Sequence, residues 1–144
     1  MRVSGILASK GSTVATIAPT ATVAEAADQL RTRGVGALVV SDDGRRIEGI
    51  VSERDVVRRL AERGELVLSE QVATVMTAEV RTCAPEDAAE DLMRLMTEHR
   101  IRHLPVSVDD TLVGIVSIGD VVKWRVTELE DETRQLHDYI TTGR

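Results

Sequence analysis

Apolar and polar positions along the chain repeat the same order of elements twice. Short apolar runs bounded by Gly, Asp or Pro predict strands, and apolar residues three or four apart predict helices. A short strand ends at Pro19 in the first half and at Pro85 in the second, since proline suits the end of a strand. The strand pairs that follow are predicted over residues 37–41 and 47–52, and again over 103–108 and 112–117. Each half therefore predicts the order β-α-β-β-α, and the fold class is α/β (α+β).

Two polar pairs indicate where the first helix of each half begins. Thr22 with Glu25, and Asp87 with Glu90, have the spacing of a helix-capping box. We expect a helix to start beside each pair.

A near-identical motif closes each half. Residues 49–57, GIVSERDVV, recur as residues 114–122, GIVSIGDVV, with seven of nine positions identical. One repeat of about 50 residues could hardly bury a stable core alone, so the two should pack about a pseudo-twofold axis and form up to two equivalent clefts. The predicted organisation is an N-terminal arm (1–15), a first repeat (16–64), a linker with a short packed helix (65–81), a second repeat (82–125) and a helical tail (126–144).

The tail continues the last predicted helix and carries an apolar stripe with alternating spacings of four and three residues. We call it the tail stripe. It could pack back on the chain's own core. A helix that runs beyond its repeat has little of its own domain left to cover, however, so we expect a homodimer formed partly by the tail. The tail stripe consists of Val122, Val126, Leu129, Thr133, Leu136 and Ile140.

Composition narrows the possible partners and compartments. Among 144 residues the aromatic side chains are Trp124 and Tyr139, and the net charge is −6, so we expect no nucleic-acid partner. Cys83 is the one cysteine and cannot form an internal disulfide, which favours a reducing, cytoplasmic location. No apolar run has the length of a membrane span, so we expect no membrane partner.

The repeated motif places one carboxylate in each predicted cleft. Asp55 and Asp120 each follow a strand end by three residues, where a carboxylate can accept hydrogen bonds from a ribose diol. The amide groups of the helix that begins there, with Ser52 or Ser117, suit a phosphate. The same spacing also forms a capping box, so each aspartate could simply satisfy the start of its helix.

The paired G-I-V-S-x-x-D motifs, with ERDVVRRL, VMT, RIRHLPV and SIGDVVKW, resemble the CBS-domain pair, also called the Bateman module. These strings look especially like small stand-alone bacterial CBS-pair proteins, which are similar to the regulatory insert of IMP dehydrogenase but lack its catalytic barrel. The resemblance implies a non-catalytic sensor that binds an adenine nucleotide (AMP, ADP, ATP or NAD) as a regulatory ligand and dimerises into a flat disc.

The resemblance also implies which residues surround each aspartate. Arg102 and His103, at the start of a second-repeat strand, would reach a ligand phosphate at the Asp120 cleft. The first repeat has Gly36 and Ala37 at the matching positions, which leaves the Asp55 cleft with an open wall. Contacts from the segment before the other repeat would come from Lys10, Thr13 and Ala15 at Asp120, and from around Met76, Glu79 and Arg81 at Asp55.

The cations near the two motifs differ. Arg54 lies within the first motif and is the better phosphate ligand there, whereas Arg58 and Arg59 are expected on a solvated helix face. Lys123 follows the second motif. We therefore expect the Asp120 cleft to close around a compact ligand such as AMP, and the open Asp55 cleft to take a longer one such as NAD or ATP. The alternatives are that Arg58 or Arg59 swings in and fills the gap at the Asp55 cleft, or that this cleft binds nothing.

Two classes of function remain open at this point. One is a nucleotide-binding energy or redox sensor that acts through an unidentified protein partner. The alternative is a dimeric scaffold whose clefts are vestigial. We expect no enzyme, since no nucleophile and base can be paired. No metal site is expected either, because the predicted strand at His103 breaks the helical spacing from His99.

Overall fold

The fold alternates short strands with helices and ends in a long helix. A computed structural model describes residues 1–142. In chain order the elements are α1 (Val3–Lys10), β1 (Thr16–Ile17), α2 (Val23–Arg33), β2 (Ala37–Val40), β3 (Gly49–Ser52), α3 (Glu53–Arg63), a 3-10 helix (Gly64–Ser69), α4 (Val72–Val75), α5 (Ala89–His99), β4 (His103–Val108), β5 (Thr111–Ser117) and α6 (Ile118–Thr142).

Each repeat forms its own small sheet. In the first, β1 lies parallel to β2, and β2 pairs antiparallel with β3. In the second, β4 and β5 form the antiparallel pair. Cys83 takes the place of β1 there through a single parallel bridge to Val106, so the predicted strand before Pro85 is reduced to one residue. The predicted β-α-β-β-α order and fold class are confirmed.

The two predicted capping boxes have different outcomes. Thr22 and Glu25 form a complete box at the start of α2. The box predicted at Asp87 and Glu90 is wrong, because the cap position of α5 is Ala88, which has no side-chain acceptor. The Asp87 carboxylate lies one residue too early and instead accepts the Ala84 amide at 2.8 Å.

Each repeat has its own apolar core, and each core is completed by a helix outside the β-α-β-β-α unit. Val72 and Val75 of α4 pack in the first-repeat core, as predicted for a short packed linker helix. Val3 and Ile6 of α1 pack in the second-repeat core. The segment 1–15, predicted as an N-terminal arm, therefore contains a helix that sequence reasoning did not predict, and α1 packs in the core of the distant repeat.

Helices α1 and α4 dock on the two repeats in equivalent ways. The Val3 amide donates to the Asp87 carbonyl at 2.9 Å, just before α5. The Val72 amide makes the matching bond to the Ala21 carbonyl, at 2.7 Å, just before α2. The pseudo-twofold relation between the repeats therefore extends to the helices that precede them.

The repeats meet through their hairpins, where the Leu112 amide donates to the Arg45 carbonyl at 2.7 Å. Beyond this contact α6 leaves the second repeat. Val121 and Trp124 at its start are buried, whereas residues 129–142 are exposed throughout. Within residues 1–142, no helix has the length and apolar character needed to cross a membrane.

Candidate functional site

A cavity of about 330 Å³ lies at the start of α3, beside Asp55. It is lined by three parts of the chain: the β3–α3 junction with Gly36, the segment 77–81 after α4, and residues 100–103 before β4. Both repeats and the segment between them therefore contribute to one cavity. Its size falls within the range of small-molecule sites, about 300–1,000 Å³.

One oxygen of the Asp55 carboxylate is committed to the helix cap. Asp55 Oδ2 accepts the Ser52 amide at 2.9 Å and the Ser52 hydroxyl at 3.0 Å, and the Asp55 amide donates back to Ser52 Oγ at 3.2 Å. No hydrogen bond within residues 1–142 reaches the other oxygen, Oδ1. The capping role considered from sequence is thus present, and it leaves Oδ1 of this cavity-lining residue available as an acceptor.

The cavity lining is predominantly cationic. Three carboxylates, those of Glu53, Asp55 and Glu79, stand against a larger number of guanidinium groups. The excess positive charge suits an anionic ligand, because guanidinium groups form strong, often bidentate bonds to phosphate. The arginines that line the cavity are Arg54, Arg58, Arg81, Arg100 and Arg102.

Arg102 and His103, which the resemblance placed at the Asp120 cleft, line the Asp55 cavity, and the His103 ring is also near enough to Lys10 and Asp120 for their charges to act on its pKa. The predicted open wall at Gly36 is wrong. A Cβ on Gly36 would lie 3.1 Å from the His103 ring, so that ring fills the space beside the glycine. The physical reason is the pseudo-twofold packing, which brings the start of β4 against the start of β2.

The His103 ring is partly buried between the two motifs. Burial lowers the pKa of His103, and the nearby positive charges of Lys10 and Arg102 lower it further. The carboxylates of Glu53 and Asp120 act in the opposite direction without cancelling the effect. Neutral imidazole is therefore favoured, and a bound anion would favour its protonation.

The carboxylate at the second motif is already paired. Asp120 Oδ2 accepts the Lys10 ammonium at 2.6 Å and the Ser117 amide at 2.8 Å. Lys10 Nζ also donates to the Ile115 carbonyl at 2.9 Å. Burial alone would raise the pKa of Asp120, but the bonds from Lys10 and Ser117 outweigh it and hold the pKa below its ordinary value.

This geometry can be compared with known proteins. The family model described as CBS domain matches residues 9–62 and 72–127. The chain belongs to the CBS-domain family. This chain is 40% identical over 126 residues to the mitochondrial CBS domain-containing protein CBSX3 of Arabidopsis thaliana. The match covers 85% of this chain and 61% of that relative, so this chain spans less than two thirds of the relative's length. An IMP dehydrogenase from Methanocaldococcus jannaschii is 33% identical over 114 residues, covering 78% of this chain and 22% of the enzyme.

Solved CBS-domain structures have the same fold. A CBS-domain protein from Agrobacterium tumefaciens is 41% identical, with a TM-score of 0.84 over 87% of this chain and 99% of that one. A CBS domain protein from Pyrobaculum aerophilum, solved in complex with AMP, is 30% identical, with a TM-score of 0.78 over 92% of this chain and 99% of that one.

Several residues expected around the two clefts take no part in the side-chain contacts described above. Thr13 is exposed between α1 and β1, and Lys123 is exposed on α6. The Ala15 carbonyl accepts the Val39 amide at 3.1 Å, which fixes the edge of the first CBS sheet. Ala37 is buried, so its side chain belongs to the core. Arg59 pairs with Glu62 on the outer face of α3, at 3.5 Å.

Arg58 is exposed on α3, as expected, and it also lines the cavity, in agreement with the alternative that an arginine of α3 reaches the space beside Gly36. Sequence reasoning missed several lining residues, namely Ile50, Glu53, Thr77, Val80, Arg100 and Ile101. Arg100 ends α5 in a left-handed conformation, with φ of 54°. A sequence signal existed: an arginine follows the helix where the first repeat has Gly34, which is also left-handed.

The side chain of Cys83 is buried. Burial, reinforced by the charge of Asp87, raises the pKa of the Cys83 thiol to about 12, so the thiol is protonated and packs as an apolar group. In residues 1–142, no group of three His, Cys, Asp or Glu side chains is placed to hold a metal ion.

Proposed function

We propose that this CBS pair is a non-catalytic regulatory module that binds an adenine nucleotide in the Asp55 cavity. The observation that carries the proposal is the pairing of a carboxylate acceptor with five arginines around one cavity. A nucleotide needs both features, because its ribose hydroxyls donate hydrogen bonds and its phosphate accepts them.

The Asp55 carboxylate would bind the ribose through Oδ1. The Ser52 bonds hold the side chain in one orientation, so little conformational entropy is lost when the ligand binds. A diol can donate two hydrogen bonds to a carboxylate, and bonds to a charged acceptor contribute about 1.5–3 kcal/mol each. The capping and binding roles of Asp55 are therefore compatible.

The arginines and His103 would bind the phosphate. Arg54 and Arg58 approach from α3, whereas Arg100 and Arg102 approach from the second repeat. The Glu79 carboxylate, on the linker side of the cavity, repels additional negative charge there. We therefore propose AMP as the first ligand to test, followed by ADP, ATP and NAD. The AMP complex of the relative from Pyrobaculum aerophilum supports this choice.

Ligand binding at this cavity would be communicated to a protein partner. The cavity spans both repeats, so an occupied site stabilises one arrangement of β3, β4 and the linker. We propose an energy or redox sensor that acts as a homodimer, in a reducing compartment such as the cytoplasm, because the single thiol has no disulfide partner. The competing proposal is a scaffold with vestigial clefts.

Calorimetric titration with AMP tests the proposal. Asp55→Asn keeps an acceptor for the cap but removes the charge, so AMP affinity should fall roughly 10- to 1,000-fold. Glu25→Gln is the matched control, because it makes the same change in the capping box of α2, outside the cavity. Equal affinity in the two variants would exclude Asp55 as the ribose ligand. If no adenine nucleotide binds the unaltered protein, the nucleotide-binding proposal is overturned.

A further inference from the structure

The tail stripe is an apolar surface that residues 1–142 leave uncovered. Val121 and Trp124 face the second-repeat core, whereas the stripe lies on another face of α6. Its apolar residues are between 44% exposed, at Leu129, and 67% exposed, at Ile140. The buried start of α6 nucleates the helix, so this surface is presented already folded.

We infer that the tail stripe is the seam of a parallel, two-stranded coiled coil with a second copy of this chain. In a heptad labelled a to g, Val126, Thr133 and Ile140 occupy a, and Val122, Leu129 and Leu136 occupy d. Every a residue is thus β-branched, and two of the three d residues are leucine. This combination favours two parallel strands over other assemblies.

The charges that flank the seam also favour the parallel arrangement. Arg125 and Glu132 occupy g, and Glu130 and His137 occupy e. In a parallel pair each g residue lies beside the partner's e residue five positions later. Arg125 then meets the partner's Glu130, and Glu132 meets the partner's His137. The first is an ion pair, and in the second the Glu132 carboxylate can accept a hydrogen bond from the imidazole.

An antiparallel pair would reverse these relations. With the stripe fully overlapped, Glu132 would face the partner's Glu132, and Glu130 would face the partner's Glu130. Thr133 would lie against the partner's Leu129. Like charges at such positions are destabilising, so the flanking residues select against this orientation.

Thr133 and Arg125 do not obstruct the parallel seam. The Thr133 hydroxyl donates to the Leu129 carbonyl at 2.9 Å, so it is satisfied within its own helix and its methyl group is available for packing. Arg125 pairs with Glu128 of its own chain at 3.0 Å. Such pairs three residues apart contribute little, so Arg125 can turn to the partner.

Disulfide cross-linking in the full chain tests the orientation. In a Cys83→Ala background, Leu136→Cys should form a disulfide-linked dimer under mild oxidation, because d residues of parallel strands are adjacent. Asp138→Cys, on the outer face of the same helix, is the control and should remain monomeric on a non-reducing gel. A mixture of Val126→Cys and Leu136→Cys chains that cross-links faster than Leu136→Cys alone would show antiparallel strands and overturn the inference. Absence of cross-linking at every position would also overturn it.

A charge swap provides an independent measurement by sedimentation. Arg125→Glu should weaken dimerisation by roughly tenfold, since two symmetric pairs change from attraction to repulsion. Adding Glu130→Arg should restore the affinity, because the pairs re-form with reversed charge. Failure of the second change to rescue the first would contradict the parallel register. Neither experiment involves a nucleotide, so their outcome is separate from that of AMP binding.

Discussion

Lys10 and Asp120, 110 positions apart in sequence, form an ion pair in which Nζ lies 2.6 Å from Oδ2. The pair joins the end of α1 to the start of α6 and occupies the carboxylate equivalent to Asp55. The two motif aspartates are therefore in different states. Asp55 faces a cationic cavity, whereas Asp120 already has a cation bound to it.

Removing Lys10 should change the number of nucleotide sites. We expect the unaltered protein to bind one AMP per chain, at Asp55. In Lys10→Met the Asp120 carboxylate loses its ammonium partner, and a second, weaker site should become measurable by calorimetry. Two equal sites in the unaltered chain would show that Lys10 does not close the second cleft.

The same substitution should lower the free energy of unfolding by about 1 kcal/mol, because both partners are partly shielded from water. Arg31→Met is the matched control. It breaks the Arg31–Asp28 pair, in which both side chains are largely exposed, and should leave stability nearly unchanged.

The depressed pKa of Asp120 predicts a pH dependence of stability. A carboxyl group with a lowered pKa in the folded state stabilises the fold above its unfolded pKa, about 4, and loses that contribution as pH falls through the folded pKa. Denaturant unfolding of the unaltered protein and Asp120→Asn should therefore differ at pH 7 and converge in acid. A difference that is constant between pH 7 and pH 3 would contradict the assignment.

His103 predicts proton uptake when an anion binds. Its pKa is lowered by burial in the free protein, and a phosphate in the cavity would raise it. The phosphate itself should release protons on binding, because the surrounding arginines favour its dianionic form. Calorimetry at about pH 6 in buffers of different ionisation enthalpy should therefore show that the unaltered protein takes up more protons with AMP than His103→Gln does. An unchanged value in His103→Gln would place the phosphate away from this ring.

Two equivalent glycines should differ in their tolerance of alanine. A Cβ at Gly49 would lie 2.4 Å from Met76 Sδ and 2.9 Å from the Thr77 carbonyl oxygen, whose backbone is held by β3. A Cβ at Gly114 would meet only the flexible end of Leu7, at 2.8 Å. Gly49→Ala should cost roughly 1–3 kcal/mol by thermal or denaturant unfolding, and Gly114→Ala should cost less. The reverse order would contradict this packing.

Much of the fold can be predicted from the sequence, because the same pattern of apolar and polar residues occurs in both repeats. The paired strands and the α2 cap depend on local patterns, and both are as predicted. Helix α1 was missed because it is short and has no side-chain cap. A comparison of the residues before each repeat would have revealed it, since Val3, Ile6 and Leu7 match Val72, Val75 and Met76 in spacing.

The residues that line each cleft were harder to predict. Asp55, Ser52 and Arg54 lie together because they are neighbours in sequence. The place of Arg102 and His103 depends on how the two sheets pack about the pseudo-twofold axis, which no spacing within one repeat specifies. The packing brings His103 against Gly36, its near-equivalent, and so gives the Asp55 cavity cations from the second repeat.

The helix that precedes each repeat packs in the core of the other repeat, and this arrangement affects how the chain comes apart. Helix α1 is covalently tied to the first repeat yet fills the core of the second, with Val3 fully buried there. A single peptide-bond cut in the exposed stretch 77–79 would therefore give two fragments that still share a core. They should remain associated as a noncovalent complex, and the molecule should melt in one transition before and after cleavage. The two repeats should thus unfold as one cooperative unit, although the sequence repeat suggests two separate ones.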